Sequence, residues 1–298
     1  MNGVEPSCFE KMAADLEASG RYRVLTKIGI PQPSYPMESG DLLGIFLDLE
    51  TTGLDQKRDE IIEISMIPFF YSASGVITGY GNFFSQVRQP SSPITPEVTA
   101  LTGITNDMVA GLTIDPTEID NFVAPANLIV AHNASFDRPF AETFCESFKN
   151  KAWSCSMSDI DWKAEGAEST KLAYLGMMAG FFYDGHRALN DCAAGLELLT
   201  RPLPRSGVPG MTQLLISARS PTWRIWAVNA PFGRKDVLKA RGYHWNDGEN
   251  GKSRSWFIDV REDKRDEEMQ FLQREIYPIG NAARAVRVTA IDRFSNRC

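Results

Sequence analysis

The run Leu42-Leu43-Gly44-Ile45-Phe46-Leu47-Asp48-Leu49-Glu50 closes an apolar segment with two carboxylates one residue apart. Read as a β-strand, it alternates faces. Leu43, Ile45, Leu47 and Leu49 then share one side and Asp48 and Glu50 the other, with Cα atoms roughly 6.5–7 Å apart. Two carboxylates ending a buried strand repel by of order 4 kcal/mol at ~4 Å and an effective dielectric near 20. Protonating one acid or holding a cation relieves this, and all-oxygen ligands of this kind suit Mg²⁺ or Mn²⁺. A DxE pair alone is more often two solvated loop acids.

Three further residues sharpen that choice. Asp191 lies in the helical stretch HRALNDCAAGLELLT, with Ala194, Gly195 and Leu198 on its face. An unpaired carboxylate there costs on the order of several kcal/mol, and the small residues let the helix approach a sheet closely. Asp137 follows the strand-like NLIVAH and the turn Asn133-Ala134-Ser135, at a helix start where capping and the dipole favour Asp without any chemistry. His186 precedes Asp191 by five residues. An isolated histidine is more often structural, yet two of the three histidines, His132 and His186, flank these acids. An ordinary imidazole is suited to taking a proton from an attacking water near neutral pH.

The elements needed to position these groups are legible. Runs 41–50, 60–70 and 76–87, joined by short turns, predict an antiparallel meander. NLIVAH followed by a helix over 136–149 predicts a parallel crossover, and helices are expected over 169–180 and 186–200. Together they give an α/β mixed sheet with helices on both faces, spanning residues 41–200. Residues 1–40 read as an amphipathic helix over 6–19 that packs as an appendage, a short strand in YRVLTKI, and the linker PQPSYP. RPLPRSGVPG places a linker at 201–221. Residues 222–298 form a small α+β lobe, with strands over 223–229 and 255–260 and a helix over 233–241.

Composition bounds the function classes. The hydrophobic share of 43% and charged share of 23% are those of an ordinary globular protein. No apolar run reaches membrane-spanning length or makes a signal peptide, so a cytoplasmic location and no membrane partner are expected. The five scattered cysteines lack ligand spacing, which favours reduced thiols over disulfides or structural zinc. The net charge of −7 divides unequally: residues 1–200 carry −14 and residues 201–298 carry +7. The basic segment also holds Trp223, Trp226, Trp245 and Trp256 among Arg224, Arg234, Lys235, Lys239, Arg241, Lys252 and Arg254. Single-strand binders combine these ingredients, although a small lobe also needs large aromatics to fill its core. A chain truncated near Arg201 is therefore expected to keep its chemistry on short oligonucleotides and to bind longer strands more weakly.

FLDLETTGLD (46–55), AHNASFD (131–137) and HRALND (186–191), with EVTALTGIT (97–105), resemble the motifs of the DEDDh 3′ to 5′ exonucleases over Leu42 to Thr200. That family includes proofreading subunits, oligoribonuclease and RNase T. The resemblance implies an RNase H-like fold, with Asp48, Glu50, Asp137 and Asp191 as metal acids and His186 as general base. It also implies two Mg²⁺ or Mn²⁺ ions per site. The expected reaction is hydrolysis of nucleic acid from 3′ ends to nucleoside 5′-monophosphates, with single-stranded DNA favoured. Thr51, Thr52, Leu54, Leu101, His132 and Asn133 are implied to contact the terminal nucleotide. The alternatives are a polymerase- or repair-complex subunit in which hydrolysis is secondary, and an RNA or oligoribonucleotide exonuclease.

Overall fold

The computed structural model describes residues 8–34, 37–248, 251–280 and 282–297. Pro6 and Ser7 of the expected first helix, Tyr35 and Pro36 of PQPSYP, and Cys298 lie outside the described residues. In chain order, α1 (Cys8–Ala18) and β1 (Thr26–Lys27) lead into β2 (Leu42–Thr51), β3 (Ile61–Tyr71), β4 (Ile77–Tyr80) and β5 (Phe84–Val87). Helices α2 (Pro96–Thr102), α3 (Asn106–Val109) and α4 (Pro116–Val123) precede β6 (Leu128–Ala131), α5 (Ala134–Phe144) and β7 (Trp153–Cys155). Then come α6 (Leu172–Ala179), β8 (Phe181–Phe182), α7 (Ala188–Thr200) and α8 (Gly210–Arg219). The chain continues through β9 (Thr222–Ala227), α9 (Lys235–Arg241), β10 (His244–Asn246), β11 (Ser255–Arg261), α10 (Arg265–Phe271) and β12 (Ala283–Val288). No helix among the described residues is long and apolar enough to cross a membrane.

The central sheet runs β4-β3-β2-β6-β7, with β5 pairing the other half of β3. β2 is antiparallel to β3 and parallel to β6, and β6 is parallel to β7. Antiparallel hairpins followed by parallel crossovers make this the expected RNase H-like arrangement. Alternation along β2 feeds two cores. Ile45, Leu47 and Leu49 pack with Phe140 and Trp153, while Phe46 packs with Leu196 and Leu214. A Cβ on Gly195 would lie 2.1 Å from Cζ of Phe46, so glycine is what lets α7 lie directly on the strand.

Three expectations fail. Residues 201–221 are no mere linker, because α8 buries Met211, Leu214 and Leu215 in the same core as Phe46. The prolines misled because they flank the helix: Pro202 and Pro209 form an isolated bridge, and Pro209 is the residue before α8. Nor does the lobe extend through residue 297, since residues 289–297 return to the central body. There the Trp153 amide donates to the Ala290 carbonyl (2.8 Å), and Arg138 donates to the carbonyls of Ile291 and Arg293 (2.6 Å each). Truncation near Arg201 thus strips core side chains and these acceptors, so the expected independence of the first 200 residues is lost. Finally, α1 forms but buries none of its residues, and Phe9 is 81% exposed, so the helix adds no side chain to a described core.

The C-terminal lobe is a βαββαβ unit with sheet order β10-β11-β9-β12, every neighbouring pair antiparallel. Ile225 and Ala227 of β9 pack with Leu238 of α9 and with Leu272 and Ile276 after α10, which places both helices on one face. Trp223 and Trp256 join this core and Trp226 is buried, while Trp245 stays half exposed.

Candidate active site

Asp48 and Glu50 share one face near the end of β2, and the first turn of α7 brings Asp191 to them. Carboxylate oxygens of the three lie within 4.8 Å of one another. Asp137, in the first turn of α5, is buried beside them and outside that group of oxygens, accepting hydrogen bonds from its own amide and that of Leu49. Burial, and then the charges of Asp137, Asp191, Glu50 and Glu63, hold Asp48 well above the carboxylate range. Burial and the charges of Asp191 and Glu63 push Glu50 up to about 7. Asp137 is pushed up to about 8, again first by burial, against its backbone hydrogen bonds. Burial also raises Asp191, opposed by hydrogen bonds from Tyr183 and Arg187 and by the nearby His186. Arg187, whose charge offsets part of the strain on Glu50, is itself committed to Glu63. This donor set, anionic oxygen whose neighbouring guanidinium is committed to Glu63, fits a hard divalent ion.

His186 is exposed on the turn before α7, with a left-handed backbone (φ 63°). Outside glycine that conformation costs of order 1–3 kcal/mol and persists where neighbours enforce it. The Asp191 carboxylate helps, accepting from the Arg187 amide (3.2 Å). Histidine and acid are thus locked together by local backbone geometry.

The expected nucleotide contacts divide. Leu54 is 85% and Leu101 57% exposed, and Asn133 is exposed at the start of α5 without capping it. The threonine hydroxyls, by contrast, are spent inside the turn. Thr51 donates to the Gly53 carbonyl (2.6 Å), and Thr52 donates to Asp59 (3.1 Å) while accepting from the Glu60 amide (3.0 Å). His132 is likewise occupied: Nε2 donates to the Thr170 carbonyl (2.8 Å) and Nδ1 bonds Ser156 Oγ (2.9 Å). Burial holds this imidazole below its usual pKa, and both of its ring nitrogens already have partners within the chain.

Three residues escaped the sequence reading. Glu63 lies opposite Glu50 across the β2–β3 ladder and is 1% exposed. It accepts from Arg187 Nη2 (3.0 Å) and Nε (3.3 Å) and from the Ala188 amide (3.1 Å), clamping the start of α7 to β3. Tyr183 donates to Asp191 Oδ1 (2.9 Å) and orients that carboxylate. A lone acid inside the apolar run Ile61 to Ile67 was the available signal for Glu63; Arg187 and Tyr183 carried none.

Residues 45–199, just over half of the chain, match the family described as Exonuclease (RNase_T). The chain belongs to this exonuclease family. Subunit epsilon of DNA polymerase III from Treponema pallidum is 30% identical over 162 residues, 51% of this chain and 73% of that protein. The PolC-type DNA polymerase III of Thermotoga maritima is 27% identical over 190 residues, 59% of this chain. The exonuclease match spans only 13% of that PolC-type relative's length. Among solved structures, exonuclease X in complex with 5′ overhanging duplex DNA aligns at 25% identity and a TM-score of 0.43, covering 58% of this chain and 99% of that one.

Proposed function

We propose that this exonuclease-family chain is a DEDDh-type, metal-dependent 3′ to 5′ exonuclease that releases nucleoside 5′-monophosphates, with single-stranded DNA favoured. The observation that carries the reading is the convergence of Asp48, Glu50 and Asp191 on one point, beside buried Asp137 and exposed His186. The donor set suits two Mg²⁺ or Mn²⁺ ions held by Asp48, Glu50 and Asp191, with Asp137 acting through water. Bound divalent ions supply Lewis acidity to the attacking water and offset charge at the scissile phosphate. His186 takes the proton of that water as its oxygen bonds phosphorus and the bond to the 3′ oxygen breaks. Leu54 and Leu101 flank the terminal base, and Asn133 offers its amide to the same nucleotide. The 3′ to 5′ direction rests on the three motifs together. The DNA preference rests on the DNA polymerase III relatives, which also support a replicative polymerase as partner.

The test uses 5′-labelled single-stranded DNA with Mg²⁺ or Mn²⁺. The strand is expected to shorten stepwise from its 3′ end and to stop doing so in excess EDTA. Undiminished activity in EDTA contradicts the metal reading, and matched RNA and mismatched duplex DNA rank the substrates.

A further inference from the structure

The cations of the lobe have different fates. Arg224 is held by Asp259 (2.7 and 2.6 Å) and Arg241 by Glu268 (3.0 Å), while Arg254 donates to the Asp247 carbonyl (2.9 Å). Arg234, Lys235 and Lys239 have no acidic partner among the described residues. Instead, Lys235 Nζ lies 4.6 Å from the centre of the Phe232 ring and Lys239 Nζ 5.9 Å from that of Trp256. Trp256 in turn meets Trp245 edge to face at 5.4 Å. Lys235 and Lys239 are about 6 Å apart along α9, so Phe232, Lys235, Lys239, Trp256 and Trp245 form one row across an edge of the lobe, with two charges between flanking rings. Its outer rings are bare: Phe232 is 82% and Trp245 52% exposed. Neither ring is needed to fill the core, which Ile225, Leu238, Tyr243 and Leu272 occupy.

We propose that this edge, formed by α9 and β10, binds single-stranded nucleic acid, with Phe232 and Trp245 stacking bases and Arg234, Lys235 and Lys239 meeting phosphates. Unneutralised cations select a polyanion. Open aromatic faces separate a nucleic acid from an acidic protein segment, because bases stack on such faces while the ring quadrupole repels carboxylates. The proposal deepens the nuclease reading, on which it rests for the choice of ligand: it names where the strand is gripped away from the reacting end.

The experiment uses the full chain and labelled single-stranded DNA and RNA oligonucleotides in EDTA, reading affinity by fluorescence anisotropy across salt concentrations. Hydrolysis of a dinucleotide with Mg²⁺ is measured in parallel. Phe232→Ala and Trp245→Ala should each weaken oligonucleotide binding roughly 5- to 150-fold, the range that base stacking supports. Lys235→Glu with Lys239→Glu should flatten the dependence of log affinity on log salt by about 1.4, at ~0.7 per phosphate contact on a single strand. Dinucleotide hydrolysis and the thermal unfolding midpoint should not change. Wild-type affinity and salt slope in both sets of variants would overturn the proposal. So would equal affinity for poly-glutamate with no effect of removing the rings, which would mark a general polyanion surface. Binding that depends on the patch, in a protein that hydrolyses nothing, would uphold the proposal and refute the nuclease reading instead.

Discussion

Asp137 and Arg138 are neighbours on α5, 3% and 0% exposed, and they serve opposite kinds of buried charge. Arg138 points into a cluster that completes itself. Its guanidinium pairs with Glu142 (2.7 Å) and donates to the carbonyls of Ile291 and Arg293, while Ser295 (2.7 Å) and Arg297 (3.0 Å) donate to Glu142 as well. Burial pushes Glu142 up, but hydrogen bonds from Arg297, Ser295 and Arg138 outweigh it and hold the group below its ordinary value. Asp137 points into a cluster of acids, where burial raises every member and like charge adds to that rise at Asp48, Glu50 and Asp137. A buried charge whose partners lie within the chain serves the fold. One that lacks them is built for something brought in from outside.

That contrast breaks most visibly at the acids. Asp48→Asn or Asp191→Asn should lower exonuclease activity by several orders of magnitude while leaving stability in EDTA unchanged or improved, because each removes repulsion. An activity assay paired with urea unfolding checks both halves. His186→Ala should lower kcat by roughly 10²–10⁴ with divalent-ion affinity retained. On the self-completed side the pattern reverses: Arg138→Ala should cost about 3–5 kcal/mol of unfolding free energy, with kcat per folded molecule unchanged.

The smallest effect is a difference in pH response. A carboxyl whose folded pKa lies above its unfolded value opposes folding once it ionises. In EDTA, Glu50 should therefore contribute a loss of stability that grows as pH rises from about 4.5 to about 7, on the order of 3 kcal/mol at full extent. Mg²⁺ should remove that decline. Glu142 behaves oppositely: its stabilisation is present above the ordinary carboxylate range and is lost as pH falls through its lowered value. Unfolding midpoints against pH, with and without Mg²⁺, separate the two clusters, and Glu50→Gln should flatten only the first.

How much of this was legible follows from how local each feature is. Alternation in β2 predicted the shared face of Asp48 and Glu50, and the small residues of α7 predicted its close approach, because both depend on residues adjacent in sequence. The carbonyls of Ile291 and Arg293 that Arg138 reaches stayed hidden since they lie more than 150 residues away, in a tail whose sequence carries no periodic signal. Helix α8 was lost behind its flanking prolines, which mark a break equally well whether a helix or a loop follows. The hydroxyls of Thr51 and Thr52 face the same difficulty, since a turn that consumes them reads like one that offers them.

The central claim, that the one-signed cluster exists to hold divalent ions, is tested most directly by titrating the EDTA-treated full chain with Mn²⁺ in a calorimeter at neutral pH, beside Asp48→Asn. The account predicts binding accompanied by proton release, since raised carboxyls must give up protons to ligate, and near-complete loss of it in the variant. Equal binding by both proteins, or none by the wild type, would contradict it.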